Sequence, residues 1–390
     1  MNAPRLSTKR IVLGLVAVST VLSVFHILSP WSLTLQREPT RWKNIYVALN
    51  LRNNEDLIPG MASRFDELFS LLENSAKINY YFSIFSNNNS DRTDEFIIEY
   101  FKPLLDNRKI PNKITTNGKT CGGYSKPPPH MNRIDWLSCV RNSAMDPFYE
   151  KGMNVFGSSL AAETQNTLVL FFNDIVFSPS DIVNLINTDG GEYDLACGLD
   201  FYYNFYDIWV TRGIDGKYFS AFPPFAMDFV SGVRMVKSVS PIVGSLTEGV
   251  PVRCCWNGVA AIKASNFFEK NIRFRSEISE ECHTIQSECK LFCEDLGENA
   301  KIVINPNVIV AYSEYFFWLN KLIRNFIIYS IFFLFRFFEF RFYIDETVSE
   351  MQCEGETKTS FASMVWVVVV TVVIFGMIFS RIFRKFRHNK

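Results

Sequence analysis

Asn173-Asp174, closing the apolar run Leu168 to Phe172, and two arginines eight residues apart, Arg133 and Arg141, are the residues of this chain whose types and spacing could do chemistry. A carboxylate at the C-terminal end of a buried strand faces the ligand crevice of an open α/β sheet. A divalent cation there takes one or two hard oxygens from the protein and the rest from phosphate. Eight residues bring two side chains to nearly one face of a helix at about 3.6 residues per turn. Arginine also suits bidentate contact with phosphate oxygens. The pattern fits a diphosphate held by a cation on Asp174 and by guanidinium groups. It is not specific by itself, because a strand-end Asp also caps turns and arginines also line solvent-facing helices.

The elements that must position these groups alternate between strand and helix. Asn44 to Leu51 reads as a first strand, Met61 to Glu73 as a helix with apolar spacing at Phe65, Leu68, Phe69 and Leu72, and Ile78 to Phe85 as a second strand. Thr93 to Leu105 follows as an amphipathic helix, with a third strand starting near Ile114. After Pro127, Pro128 and Pro129 a helix runs from about Asn132 to Phe148 and carries both arginines. The Thr167 strand, a helix from about Ser180 to Ile186, and the strand Asp194 to Asp200 complete a doubly wound, mainly parallel α/β sheet. From Phe201 the pattern turns into aromatic loops, with a hairpin signal at Asp215-Gly216 and a further strand after Cys255-Trp256-Asn257-Gly258. Aromatic faces flanked by Asp and Asn suit a sugar, whose CH faces pack on rings while its hydroxyls hydrogen-bond. Ordinary core packing is the competing reading for any one ring. There is no internal repeat.

Lysine plus arginine equals aspartate plus glutamate, 40 against 40, which argues against a nucleic-acid partner. A hydrophobic content of 48% with 37 phenylalanines is high for a soluble protein, and the apolar excess sits at the two ends of the 390 residues. Ile11 to Leu28 is charge-free and preceded by Arg5, Lys9 and Arg10; without a clean cleavage site it reads as an uncleaved anchor rather than a signal peptide. Phe361 to Phe379 is a second span followed by Arg381, Arg384, Lys385 and Arg387. The basic flanks place both termini in the cytosol and the region between in the secretory lumen, in the Golgi or endoplasmic reticulum membrane. Leu322 to Tyr343 is Phe-rich but charge-free only from Asn325 to Phe335, too short to cross alone. It reads as a helix on the lumenal lipid surface, with a re-entrant or third span as the alternative. The expected organisation is a tail and anchor at 1–29, a lumenal catalytic region at 30–315, the Phe-rich segment at 316–345, a stalk at 346–360, and the second span and basic tail at 361–390.

All nine cysteines fall in the expected lumenal part, where disulfides form. Cys197, inside an apolar strand, reads as a buried thiol, and Cys353 as a juxtamembrane thiol able to link subunits or to stay idle. Cys282, Cys289 and Cys293 with His283 match no standard zinc spacing, so disulfides are expected instead. The sequon Asn88-Asn89-Ser90 lies close to Asp91, and Asn88 is expected to be unglycosylated or turned outward.

From about Asn44 to Ser313 the chain resembles the fungal capsule-associated α-1,3-mannosyltransferase family. The resemblance is carried in order by ALNLRNNEDLIP from Ala48, YFSIFSNNNSDRT from Tyr81, RIDWLSCVRNSAMDPF from Arg133, LFFNDIVF, DLACGLDF from Asp194 and YDIWVTRGIDG from Tyr206. CCWNGVAAI from Cys254, FRSE from Phe274, SECKLFCEDL from Ser287 and NPNVIVAYS from Asn305 continue it. It implies a GT-A-like fold, with a nucleotide-binding sheet and an acceptor-binding half, and transfer of mannose from GDP-mannose to a glycan in α-1,3 linkage with retention. The usual Asp-x-Asp metal motif is absent as a literal triplet, and Asn173-Asp174 stands in its place.

On that resemblance Asp174 is the expected metal ligand, for Mn²⁺ or Mg²⁺. Asn50, Asp91, Arg133, Arg141, Asn142 and Asn173 are expected to bind the nucleotide sugar. Asp207, Trp209, Trp256 and Asn257 are expected at the acceptor, and Asp200, Asp228 and Glu281 are the candidate catalytic acids, with His283 nearby. A different nucleotide sugar as donor, or a catalytically inactive glycan-binding or scaffold protein of the same fold, are the competing functions.

Overall fold

The computed structural model describes residues 40–74, 76–157, 161–202, 205–219, 246–278 and 285–321. All belong to the first of two units, Met1–Met351; the second, Gln352–Lys390, is outside them. Among the described residues no helix is long and apolar enough to cross a membrane. The expected anchors at 11–28 and 361–379, the Phe-rich stretch 322–343 and the stalk all lie outside the described residues.

Among the described residues nine strands form one sheet: β1 (Asn44–Leu51), β2 (Asn79–Ser86), β3 (Asn112–Thr115), β4 (Thr167–Phe172), β5 (Val176–Phe177), β6 (Leu195–Phe201), β7 (Val250–Pro251), β8 (Val259–Lys263) and β9 (Ile302–Ala311). Their order is β3-β2-β1-β4-β8-β6-β9-β5, with β7 on the side of β9. β3, β2, β1 and β4 pair in parallel, as do β6 and β9. β8 runs antiparallel between β4 and β6 and so returns β6 to the direction of β4. β5 and β7 oppose β9. The sheet is thus mixed, with its main direction parallel as expected.

The central strands are apolar on both faces because both faces are covered. On one face α1 (Ile58–Glu73), α2 (residues 93–107, with a π turn over Ile97–Phe101) and α4 (Pro179–Ile186) bury Phe65, Phe69, Phe101 and Ile182 against Phe82, Leu170, Phe172 and Phe177. Phe65 meets Phe82, Phe172 and Phe177 edge-on, at centroid distances of 5.0, 4.9 and 5.1 Å. On the other face α3 (Arg133–Lys151), α5 (Ser265–Glu269) and α6 (Glu288–Asp295) bury Phe148, Phe267 and Phe292 against Tyr46, Phe171 and Trp256. α3 begins where expected because the Asn132 side chain accepts from the Asp135 N–H, closing the first turn.

Among the described residues three disulfides staple the second face: Cys121–Cys139, Cys197–Cys255 and Cys254–Cys293. The reading of Cys197 as a buried thiol is therefore corrected. Its strand lies beside the entry to β8, which brings Cys255 within bridging distance, a neighbour that the local sequence does not reveal. Cys293 is engaged with Cys254, and Cys289 is a buried free thiol. Among the described residues no group of three or more His, Cys, Asp or Glu could cage a metal.

Candidate active site

The parallel strands β1, β4, β6 and β9 end at the same edge of the sheet, and the polar residues gather just beyond those ends. Asn50 is the penultimate residue of β1, Asn173 and Asp174 follow β4, Asp200 is the penultimate residue of β6, and Tyr312 follows β9. β8 enters from the same edge because it is antiparallel, so Asn257 and Gly258 join the group. Both take positive φ, 53° and 74°. A side chain at Gly258 would meet Ile175 and Val310 at 3.0 and 3.1 Å, so glycine is needed both for backbone shape and for space. The Asn173 N–H donates to the Gly258 carbonyl at 2.8 Å, which ties the turn before β8 to the tip of β4.

Asp174 is partly exposed. Its Oδ2 accepts from the Asn54 side-chain amide at 3.0 Å. Burial pushes its carboxyl above the ordinary value, and the Asn54 hydrogen bond and the Arg141 charge oppose that rise. Asn173 accepts from Arg141 Nη1 at 3.1 Å, and Arg141 Nε donates to Glu288 Oε1 at 2.9 Å. A single partly exposed carboxylate flanked by an amide fits a cation completed by phosphate oxygens; it does not fit an all-protein cage.

A second polar group lies beneath β6. Asp200 is fully buried; its Oδ1 accepts from the Asp207 N–H at 3.1 Å and its Oδ2 from the Tyr312 hydroxyl at 3.0 Å. Burial, and then the neighbouring Asp207, push the Asp200 carboxyl well up. Asp207 is partly exposed, and its Oδ2 accepts from the Asn257 N–H at 3.0 Å. Burial lifts its pKa to about 6, Glu288 adds to the lift, and the Asn257 N–H and Arg141 act against it.

The remaining expected residues divide by burial. Asn50 donates to the Val140 carbonyl at 3.0 Å, while its buried Oδ1 has no hydrogen-bond partner. Arg133 is exposed at the first turn of α3. Arg141 faces inward on the same helix, so the two guanidinium groups do not share one environment. Asp91 works as a loop cap: it accepts from the N–H groups of Thr93 and Glu55, and against burial the Thr93 side chain first, then these N–H groups, hold its carboxyl below the ordinary value. Asn142 clamps the Phe274 backbone, donating to its carbonyl and accepting from its N–H at 2.7 and 3.1 Å.

Trp256 and Asn257, expected to form an acceptor wall, are both buried. Trp256 is 1% exposed and packs on Phe171, Phe274 and Phe292. Asn257 is fully buried, donating to the Gly198 carbonyl at 2.7 Å and accepting from the Thr211 hydroxyl at 2.7 Å. Asp200, a candidate catalytic acid, is enclosed as well, and each of its oxygens already has a donor. Trp209 is 37% exposed and keeps an accessible ring. Asp228, Glu281 and His283 lie outside the described residues.

Sequence reasoning missed Asn54, Glu288 and Tyr312. Each lies inside a quoted motif, but the partner that gives it a role is far along the chain, 120 residues away for Asn54 and 112 for Tyr312.

The model of the family described as Cryptococcal mannosyltransferase 1 matches residues 44–295, which covers every described element from β1 to α6. No curated protein matches the chain. Among solved structures it is similar to mannosyl-3-phosphoglycerate synthase from Rubrobacter xylanophilus, at 12% identity and a TM-score of 0.32, over 81% of this chain and 84% of that one. It is also similar to the mannosyltransferase Ktr4p from S. cerevisiae in complex with GDP, at 13% identity and a TM-score of 0.27, over 76% and 72%. At TM-scores this low neither overlap bears on fold or function.

Proposed function

The chain belongs to the cryptococcal mannosyltransferase family, and from that premise we propose that it moves mannose from GDP-mannose to a glycan acceptor, in α-1,3 linkage and with retention, at the sheet edge where β1, β4 and β6 end. The observation that carries this reading is the placement of Asp174 just past β4, with Asn54 fixing its carboxylate and Asn173 fixed by Arg141 beside it.

Cleaving a sugar from a nucleoside diphosphate leaves negative charge on the departing phosphate, and that charge must be met by fixed positive groups. A divalent cation, Mn²⁺ or Mg²⁺, bound by Asp174 would supply a Lewis acid for the diphosphate oxygens. Asn54 keeps the Asp174 carboxylate oriented, and the exposed Arg133 guanidinium is free of the inward contacts that engage Arg141. Asn50 offers an acceptor oxygen at the end of β1 for a donor group of the nucleotide. Asp207 is a partly exposed carboxyl at this edge whose pKa is lifted to about 6, which suits it to an acceptor hydroxyl; Trp209 offers a ring to a sugar face. The three disulfides support an oxidising lumen, in the Golgi or endoplasmic reticulum membrane, as the working compartment.

Full-length protein incubated with GDP-mannose, other nucleotide sugars and Mn²⁺ tests the reading. Mannose transfer, or slow hydrolysis of GDP-mannose alone, is the expected result. Turnover of another donor would reassign the sugar, and turnover of none would leave a glycan-binding protein.

A further inference from the structure

Arg141 and Glu288 form an ion pair whose side chains are only 11% and 4% exposed. Trp256, Phe171 and Phe274 surround the guanidinium, with centroids 4.9, 5.3 and 5.8 Å from its central carbon. Nε is engaged with Glu288 and Nη1 with Asn173, so the fork that would grip a phosphate is already occupied on two of its nitrogens. A buried ion pair adds little stability over an apolar packing of the same volume. Its role is better read from what it holds, and that is Asn173, the residue before Asp174. Glu288 is itself held: it starts α6, a helix fixed by the Cys254–Cys293 disulfide, and the Cys289 thiol donates to its Oε1.

We propose that Glu288 and Arg141 are positioning residues for mannosyl transfer: Glu288 orients Arg141, and Arg141 holds Asn173 at the tip of β4 and sets the charge beside Asp207, without itself binding the donor's phosphates. The groups facing Asp207 are Arg141 from α3, Glu288 and Cys289 from α6, Asp200 from β6 and Tyr312 from the end of β9. Arg141 stabilises the ionised form of Asp207 and Glu288 opposes it, so the two partners act on one carboxyl with opposite sign.

The proposal rests on the mannosyl-transfer reading, and the experiment separates the two. Full-length wild type, Glu288→Gln and Arg141→Gln are compared for GDP affinity by calorimetry, for the pH dependence of turnover with GDP-mannose, and for melting temperature across the acid range. The acid limb of the rate profile moves to lower pH in Glu288→Gln and to higher pH in Arg141→Gln. The maximal rate falls roughly tenfold to a hundredfold in both, as a misplaced site demands. GDP affinity changes by less than about threefold, since uniform binding is untouched. A loss of GDP affinity of roughly tenfold or more confined to Arg141→Gln, with the limb unmoved, overturns the proposal, because that is the signature of a phosphate ligand.

If wild type turns over no donor, the mannosyl-transfer reading fails, and the melting curves decide the positioning claim alone. The raised pKa of Asp207 costs the folded state stability as pH rises towards about 6. That loss shrinks in Glu288→Gln and grows in Arg141→Gln if the pair acts as proposed. A change of the same sign in both variants overturns it.

Discussion

The Asn54 side-chain amide donates to Asp174 Oδ2 over 3.0 Å and ties the loop after β1 to the residue beyond β4. The loop is braced in turn by Thr93, whose hydroxyl accepts from the Asn54 N–H at 2.6 Å. Asn54→Ala removes the donor that favours the ionised carboxylate, so more Mn²⁺ is needed. A titration of activity against Mn²⁺ is expected to shift roughly tenfold, the usual scale for losing a partner that orients a metal ligand, with little change in melting temperature.

Asp174→Ala is expected to lower mannose transfer by roughly a thousandfold, since the charge on the leaving diphosphate loses its counterweight. The substitution removes a partly exposed group, so secretion and thermal stability are preserved. Unchanged turnover in that variant removes Asp174 from the site.

Asp207 gives a pH dependence whose sign can be worked out. Its pKa is lifted to about 6, mainly by burial, above the ordinary carboxyl value of roughly 3.9. The stability it contributes is therefore fully present below the ordinary value and is lost as pH rises through about 6. Turnover that needs the ionised form rises over the same interval. Asp207→Asn flattens both curves, as measured by melting temperature and by initial rate across the acid range.

Tyr312→Phe leaves the buried Asp200 carboxyl with one donor in place of two. The expected cost is about 1–3 kcal/mol of stability, read from chemical denaturation, because a buried polar group loses its partner.

Cys293→Ser opens the bridge to Cys254, which closes a loop of sequence separation 39 and anchors the last turn of the Glu288 helix. A loss of roughly 2–5 kcal/mol is expected by comparing the denaturation midpoints of the variant and wild type.

Much of the scaffold could be read from residue order. Asn44–Leu51, Thr167–Phe172 and Arg133–Lys151 lie within a few residues of where apolar periodicity, the Asn132 cap and the proline bend put them. Asp174 was legible because an acid closing an apolar strand is a local pattern. What stayed hidden was pairing. The run Val259–Lys263 looks the same whether it joins the sheet parallel or antiparallel, yet its reversed direction is what buries Trp256 and Asn257 rather than exposing them to a sugar. The place of Asp200 near a strand end is a local pattern, but its enclosure depends on the distant Tyr312. The charge of Arg141 and its spacing from Arg133 are local signals; its inward direction is set by Glu288 and three rings that no local window contains.

The most direct test is a structure of the full-length protein with GDP and Mn²⁺. The account predicts manganese coordinated by Asp174 and bridging to the diphosphate at the ends of β1 and β4, with Arg141 still on Glu288 and Asn173. Nucleotide bound at any other edge of the sheet, with Asp174 remote from the metal, would contradict it.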